Sequence, residues 1–189
     1  MLLANRKPVA KEGPADEDLV KLRARWQQQL DAQLGEVIGF TKTGWAADAP
    51  QLRTLVATAL RDVTKADAAL INKKGVRAAL EKGPISRESI ATLLPFENAV
   101  VTTKLKGEVL QKLTTHPEAF ILLPAKLKPD ETYVVATTDY IYFGGDGLGL
   151  EVVGSEPELN GMVWQTPVVE WLRTQQTTEK KPLEKLLKR

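Results

Sequence analysis

Cysteine is absent from the 189 residues and histidine occurs once, at His116. Without cysteine the chain forms no disulfide and no thiolate metal site, and its compartment stays open on this ground. A lone histidine excludes the histidine-rich centre of a two-metal hydrolase. It stands in "LTTHPEAF", ahead of a proline, where a loop is expected. No G-x-S-x-G elbow or P-loop pattern is present to support Ser-His-Asp chemistry or phosphate cradling. No apolar run reaches the length of a membrane-spanning helix. The opening "MLLANRKPVAKEGPADED" lacks the apolar core of a signal peptide. A net charge of +2 gives no reason to expect a nucleic-acid or membrane-surface partner.

What is present is an ordinary globular composition, 43% hydrophobic and 26% charged, at a length that suits one domain. Residues 1–15 are polar, with Pro8, Gly13 and Pro14, and read as a tail or linker. Asp16 can cap a helix in which Leu19, Leu22, Trp26, Leu30 and Leu34 make one apolar stripe. A strand is expected at 36–42 and a helix at 49–63, with Leu52, Leu55, Val56, Ala59 and Leu60 on one side. "DAALIN" (67–72) reads as a buried strand and "KKG" as a turn. Ser86 caps a short helix that Pro95 ends. Further strands are expected at "NAVVTTKLKG", "EAFILLPA", "TYVVATTD" and "GLEVVG". "EVLQKL" reads as one or two helical turns. Thr166 and Pro167 are the expected start of "VVEWLRTQQ", and the basic tail "EKKPLEKLLKR" is a solvated or packed end helix. Helices and strands mix without regular alternation, which gives an α+β class.

Aromatic residues are only 6% of the chain, yet Tyr140, Tyr142 and Phe143 crowd together just ahead of Gly144-Gly145-Asp146-Gly147. Read alone, such a turn is an ordinary surface feature, and Phe96, at the end of a helix, is as readily a core residue as a ligand contact.

Four segments taken in order carry more: "VIGFTKTGWAADAPQLRTLVATALRDV", "ADAALINKKGVRAALEKGPIS", "TLLPFENAVVTTKLKGEVL" and "YVVATTDYIYFGGDG". Over about residues 34–175 the chain resembles the C-terminal domain of the 5′-nucleotidase and UDP-sugar hydrolase family. The shared pattern is an asparagine followed by glycines and Ile-Arg, a Leu-Pro-Phe element, and an aromatic shortly before Gly-Gly-Asp-Gly. The resemblance implies a four-layer α/β/β/α sandwich that recognises substrate. Residues 16–189 would be one such domain, and helix 16–34 an interdomain-type linker. The resemblance also implies that Phe96 and Tyr140 sandwich a base. Stacking of this kind is worth about 1–3 kcal/mol per base and tolerates different bases. Asp146 would take the ribose hydroxyls, Gly144 and Gly145 would let the backbone approach, and Asn72 and Arg77 would complete the site. Tyr142 and Phe143 are expected in the core or as extra wall.

In such families the divalent metals and catalytic histidine belong to a separate N-terminal metallophosphoesterase domain. The expectation is therefore that this chain binds no cofactor, has a nucleotide or nucleoside as ligand, and works with a catalytic domain or separate chain. A periplasmic or extracellular location is what the resemblance suggests. The departures are specific. Lys73 and Lys74 stand where the family has glycines. No arginine precedes the helix at 49–63, and the family's Asn-Gly-Asn start is here Gln51, Arg53 and Thr54. Two phosphate-handling features are thus altered, and a non-catalytic binding or interaction module of the same fold is the alternative reading.

Overall fold

The computed structural model describes residues 16–187, the side chains of 27–33 excepted; the tail expected at 1–15 lies outside the described residues. The chain divides into two compact units, Met1–Gly35 and Glu36–Arg189. In the first, α1 (Glu17–Leu34) begins at Asp16, whose carboxylate accepts from the Asp18 amide at 2.9 Å, and carries acids in its first turn.

The second unit is of mixed α+β class, with two unequal sheets. A two-stranded sheet pairs β1 (Val37–Thr41) with β3 (Gly83–Ser86), antiparallel. A five-stranded sheet holds β2 (Ala68–Asn72), β4 (Ala99–Lys106), β5 (Ala119–Leu122), β6 (Thr132–Thr138) and β7 (Glu158–Val163) in the order β5-β2-β6-β4-β7. Strand periodicity divides their side chains between two cores. Ala69, Ile71, Val100 and Ala136 join one cluster; Ala68, Leu70, Val101, Leu105 and Val135 join the other. A sheet buried on both faces explains why "AALIN" is apolar without alternation.

The first core is filled by α2 (Pro50–Thr64) and α6 (Gln165–Gln175). The apolar side of α2 predicted from its spacing is fully buried. Proline opens this helix, and Lys65 closes it in the left-handed conformation, its amide reaching the carbonyls of Arg61 and Asp62. The Trp171 indole of α6 donates to Asp62 of α2 at 3.0 Å. Between β3 and β4 lies α3 (Arg87–Leu93), where Ser86 and Ser89 form a reciprocal capping box. The second core is covered by α4 (Gly107–Leu113) and a single turn, α5 (Asp139–Tyr142), capped by Thr138.

Three local expectations are corrected. "GLEVVG" is a 3₁₀ turn at Leu150–Val152 rather than a strand: Gly149 is left-handed and Val152 is 84% exposed, so no neighbour pairs with it. Thr166 does not cap α6. The helix starts two residues earlier, at Gln165, and Trp164 takes the cap position with its ring fully buried. Among its described residues the tail forms a 3₁₀ turn at Leu183–Lys185 in place of the expected end helix. Among the described residues no helix is long and apolar enough to cross a membrane.

Candidate functional site

Topology brings the predicted residues to one sheet edge. Strands β2 and β6 run parallel and side by side, so Asn72, which ends β2, and Asp139-Tyr140, which follow β6, emerge together. Strand β4 runs antiparallel to β6, so its beginning, preceded by Phe96 and Asn98, meets them there. The junction is tied directly: one oxygen of Asp139 accepts from the Ala99 amide at 3.1 Å and from the Tyr140 amide at 2.7 Å.

A cavity of about 260 Å³ opens at this edge, lined by Asn72, Lys74, Arg77, Phe96, Asn98, Tyr140 and Asp146. Phe96 and Tyr140 are each 45% exposed, as large rings in a solvent-facing wall would be and core rings would not. Arg77 lays its guanidinium 5.8 Å from the centre of the Phe96 ring, within cation–π range. Asp146 spends one carboxylate oxygen on the Asn72 amide, at 2.7 Å, and the other on the Tyr140 hydroxyl, at 3.2 Å. Each oxygen keeps a lone pair for a further donor. Asp146 holds φ of 53°, a left-handed conformation for which a short polar side chain is suited.

Gly144 and Gly145 shape this cavity without lining it. Gly144 turns the chain at φ of 97°. Gly145 lies against the Tyr140 ring so closely that a β-carbon there would collide with it. Tyr142 is buried in the second core, whereas Phe143 is 66% exposed and meets Tyr142 edge-on.

The two lysines that replace glycines leave the cavity open. Lys73 turns away, its ammonium 2.7 Å from the Pro117 carbonyl. Lys74 stays on the cavity wall and pairs with Glu118 at 2.8 Å. The hydrogen bond and charge of Glu118, with Asp146 adding to them, hold the Lys74 ammonium above the usual lysine range. Gly75, which is buried, has no such freedom: a β-carbon would come within 2.5 Å of both Asn72 Oδ1 and the Trp164 ring.

Three contributors escaped the sequence reading. Asp139 ties β4 to the turn that bears Tyr140. Asn98 lines the cavity. Trp164 donates from its indole to the Phe96 carbonyl at 2.7 Å, and Gln165 donates to the same oxygen at 2.9 Å. The only sequence signal for Trp164 was its rarity, one of four tryptophans.

The segment ahead of α2 is closed by contacts within this chain. Trp45 bridges to Leu80, and the 41–43 loop is closed by Glu184. A larger cleft of about 440 Å³, lined by Trp45, Pro50, Gln51, Thr54, Phe120, Glu184 and Leu187, holds none of the predicted site residues. His116 is half-buried, its Nδ1 accepting from the Glu118 amide at 3.3 Å. Among the described residues, no group of three or more His, Cys, Asp or Glu side chains is placed to hold a metal ion.

Residues 36–121 match the family profile described as "5′-nucleotidase, C-terminal domain". Over these residues the chain carries a 5′-nucleotidase family C-terminal domain. UshA of Escherichia coli is 28% identical over 164 aligned positions, covering 70% of this chain and 30% of that protein. Endonuclease YhcR of Bacillus subtilis is 36% identical over 75 positions, 40% of this chain and 6% of that one. Among solved structures, a 5′-nucleotidase precursor from Thermus thermophilus superposes with a TM-score of 0.69 at 20% identity, over 88% of this chain and 42% of that one. The NAD nucleotidase of Haemophilus influenzae gives 0.65 at 16% identity, over 86% and 39%. The chain spans less than a third of the length of the curated relatives it matches, so the 5′-nucleotidase C-terminal domain here corresponds to a part of them.

Proposed function

We propose that this domain binds a nucleoside or nucleotide, as the substrate-recognition part of a 5′-nucleotidase-type phosphohydrolase whose metal chemistry resides in a separate domain or chain. The observation that carries this is the convergence of two half-exposed rings, an engaged carboxylate and an arginine on one 260 Å³ cavity. Small-molecule sites run upward from about 300 Å³, so the space suits a compact ligand. A base would stack on Phe96 and Tyr140, and the ribose hydroxyls would donate to the spare lone pairs of Asp146. Asn72 and Tyr140 hold that carboxylate in place beforehand, which lowers the ordering cost of binding.

Titration calorimetry of the chain with a panel of nucleosides and their monophosphates tests this. Binding in the micromolar to millimolar range is expected. Phe96→Ala or Tyr140→Ala should weaken it about 5- to 100-fold, the equivalent of one lost stacking contact. Absence of binding at millimolar ligand, or unchanged affinity in both variants, would sink the reading.

A second reading, a non-catalytic binding or interaction module of the same fold, is favoured by one observation. The segment that carries an arginine in the family is closed in this chain by its own Glu184. On that reading, a nucleotide-dependent phenotype in cells would survive Phe96→Ala and Tyr140→Ala.

A further inference from the structure

We propose that Lys74 makes this cavity select phosphorylated over unphosphorylated nucleosides, by exchanging Glu118 for a phosphate beside Arg77. The inference rests on the nucleoside-binding reading above and concerns a residue at which this chain departs from its family.

The turn after β2 has three side-chain positions with three different fates. Gly75 is pinned between Asn72 and Trp164, and Lys73 leaves toward Pro117. Lys74 alone of the two lysines lines the cavity. Its partner Glu118 is not part of the cavity lining, and the pair is reached by solvent: the lysine side chain is 67% exposed and the glutamate 26%. Ion pairs in water exchange partners readily, since solvent screens the attraction and two long side chains must be ordered to keep it. Lys74 is therefore a cation that a better anion can recruit.

Arg77 is the second cation on the wall. Among the described residues no carboxylate stands within salt-bridge distance of it, and its one side-chain bond is a long one, 3.4 Å, to the Lys74 carbonyl. Among the described residues Asp146 forms no ion pair with either of them; its two oxygens accept from Asn72 and Tyr140. A phosphate monoester carries a charge of about −1.5 to −2 near neutral pH. Placed at this mouth, it offers more charge and more acceptor oxygens than the single carboxylate of Glu118.

The test compares AMP with adenosine by calorimetry on the wild type, Lys74→Gln and Glu118→Gln, reading the ratio of the two affinities. The wild type should prefer AMP, and the preference should shrink as salt rises. Lys74→Gln should lower the ratio about five- to tenfold, the loss of one charge-assisted contact. Glu118→Gln should raise it about two- to threefold by removing the competing anion. A ratio that Lys74→Gln leaves in place, with adenosine still bound, overturns the assignment of Lys74 alone. A wild type that binds neither ligand overturns the nucleoside reading and this inference with it.

Discussion

Replacing Glu184 with glutamine isolates one carboxylate whose surroundings are unusually rich in donors. Its Oε1 accepts from the hydroxyls of Thr41 and Thr43 at 2.8 Å each, and from the amides of Lys42 at 2.8 Å and Thr43 at 2.7 Å. Burial works to raise its pKa, but these bonds, with its own backbone amide, outweigh burial and bring it from 4.5 down to about 2. A folded-state value below the unfolded one means stability that is fully present above pH 4.5 and lost as pH falls toward 2. The shift corresponds to about 3.4 kcal/mol at about 1.4 kcal/mol per unit. The group is partly solvated, and screening reduces the realised effect to about 1–2 kcal/mol. Glutamine keeps an acceptor oxygen for the same donors and loses only the charge. Urea denaturation at pH 7 should therefore find Glu184→Gln less stable by about 1–2 kcal/mol, and by pH 3 the gap should fall below about half of that. Every other carboxylate titrates equally in both proteins, so the difference reports on Glu184. A gap that stays constant from pH 7 to pH 3 would refute the assignment of charge as the cause, and no gap at all would refute a stabilising role for Glu184 at the 41–43 loop.

Two further substitutions test the frame around the cavity. Gly75→Ala should cost about 1–3 kcal/mol in urea denaturation, because the added methyl has no room between Asn72 and Trp164; a loss below about 0.5 kcal/mol would show that the turn yields. Trp164→Phe removes the indole donor to the Phe96 carbonyl and keeps an aromatic ring. Gln165 still serves that carbonyl, so the expected loss is near about 1 kcal/mol. A weaker nucleoside affinity should accompany it, and unchanged binding would remove Trp164 from the positioning of Phe96.

The parts of this fold that were legible in the sequence are those where one periodicity dominates. Helix α2 shows a continuous buried side and "AALIN" is apolar throughout, and both lie where their patterns put them. The parts that were missed are elements whose residues answer to something other than a buried face. Strand β7 is an edge strand with mostly exposed side chains, so "ELNGMV" has no alternation to read. Strand β3 contains Pro84, which argues against a strand until the pairing with β1 is known. For the cavity, the motif residues Asn72, Arg77, Phe96, Tyr140 and Asp146 were named in advance and line it together, whereas Gly144 and Gly145 act through the shape of the turn. Asp139, Asn98 and Trp164 were not named. Their contributions depend on strand order and on bonds across 40 and 68 positions, which no local pattern encodes.

The departures from the family pattern separate by location. At the turn after β2, only the glycine that packs against Asn72 and Trp164 is retained, while the two positions whose side chains can reach solvent have become lysines. That is the outcome expected if packing, rather than close approach of backbone to ligand, constrains the third position. At the 41–45 segment the change is of another kind, because loop amides that could serve an incoming anion already serve Glu184. On the proposed reading, the rings for a base stand on the cavity wall, and Lys74 joins Arg77 there as the cations available to a phosphate. The two changes make one joint demand on experiment: the response of AMP affinity to ionic strength should follow residue 74 and be insensitive to Glu184→Gln.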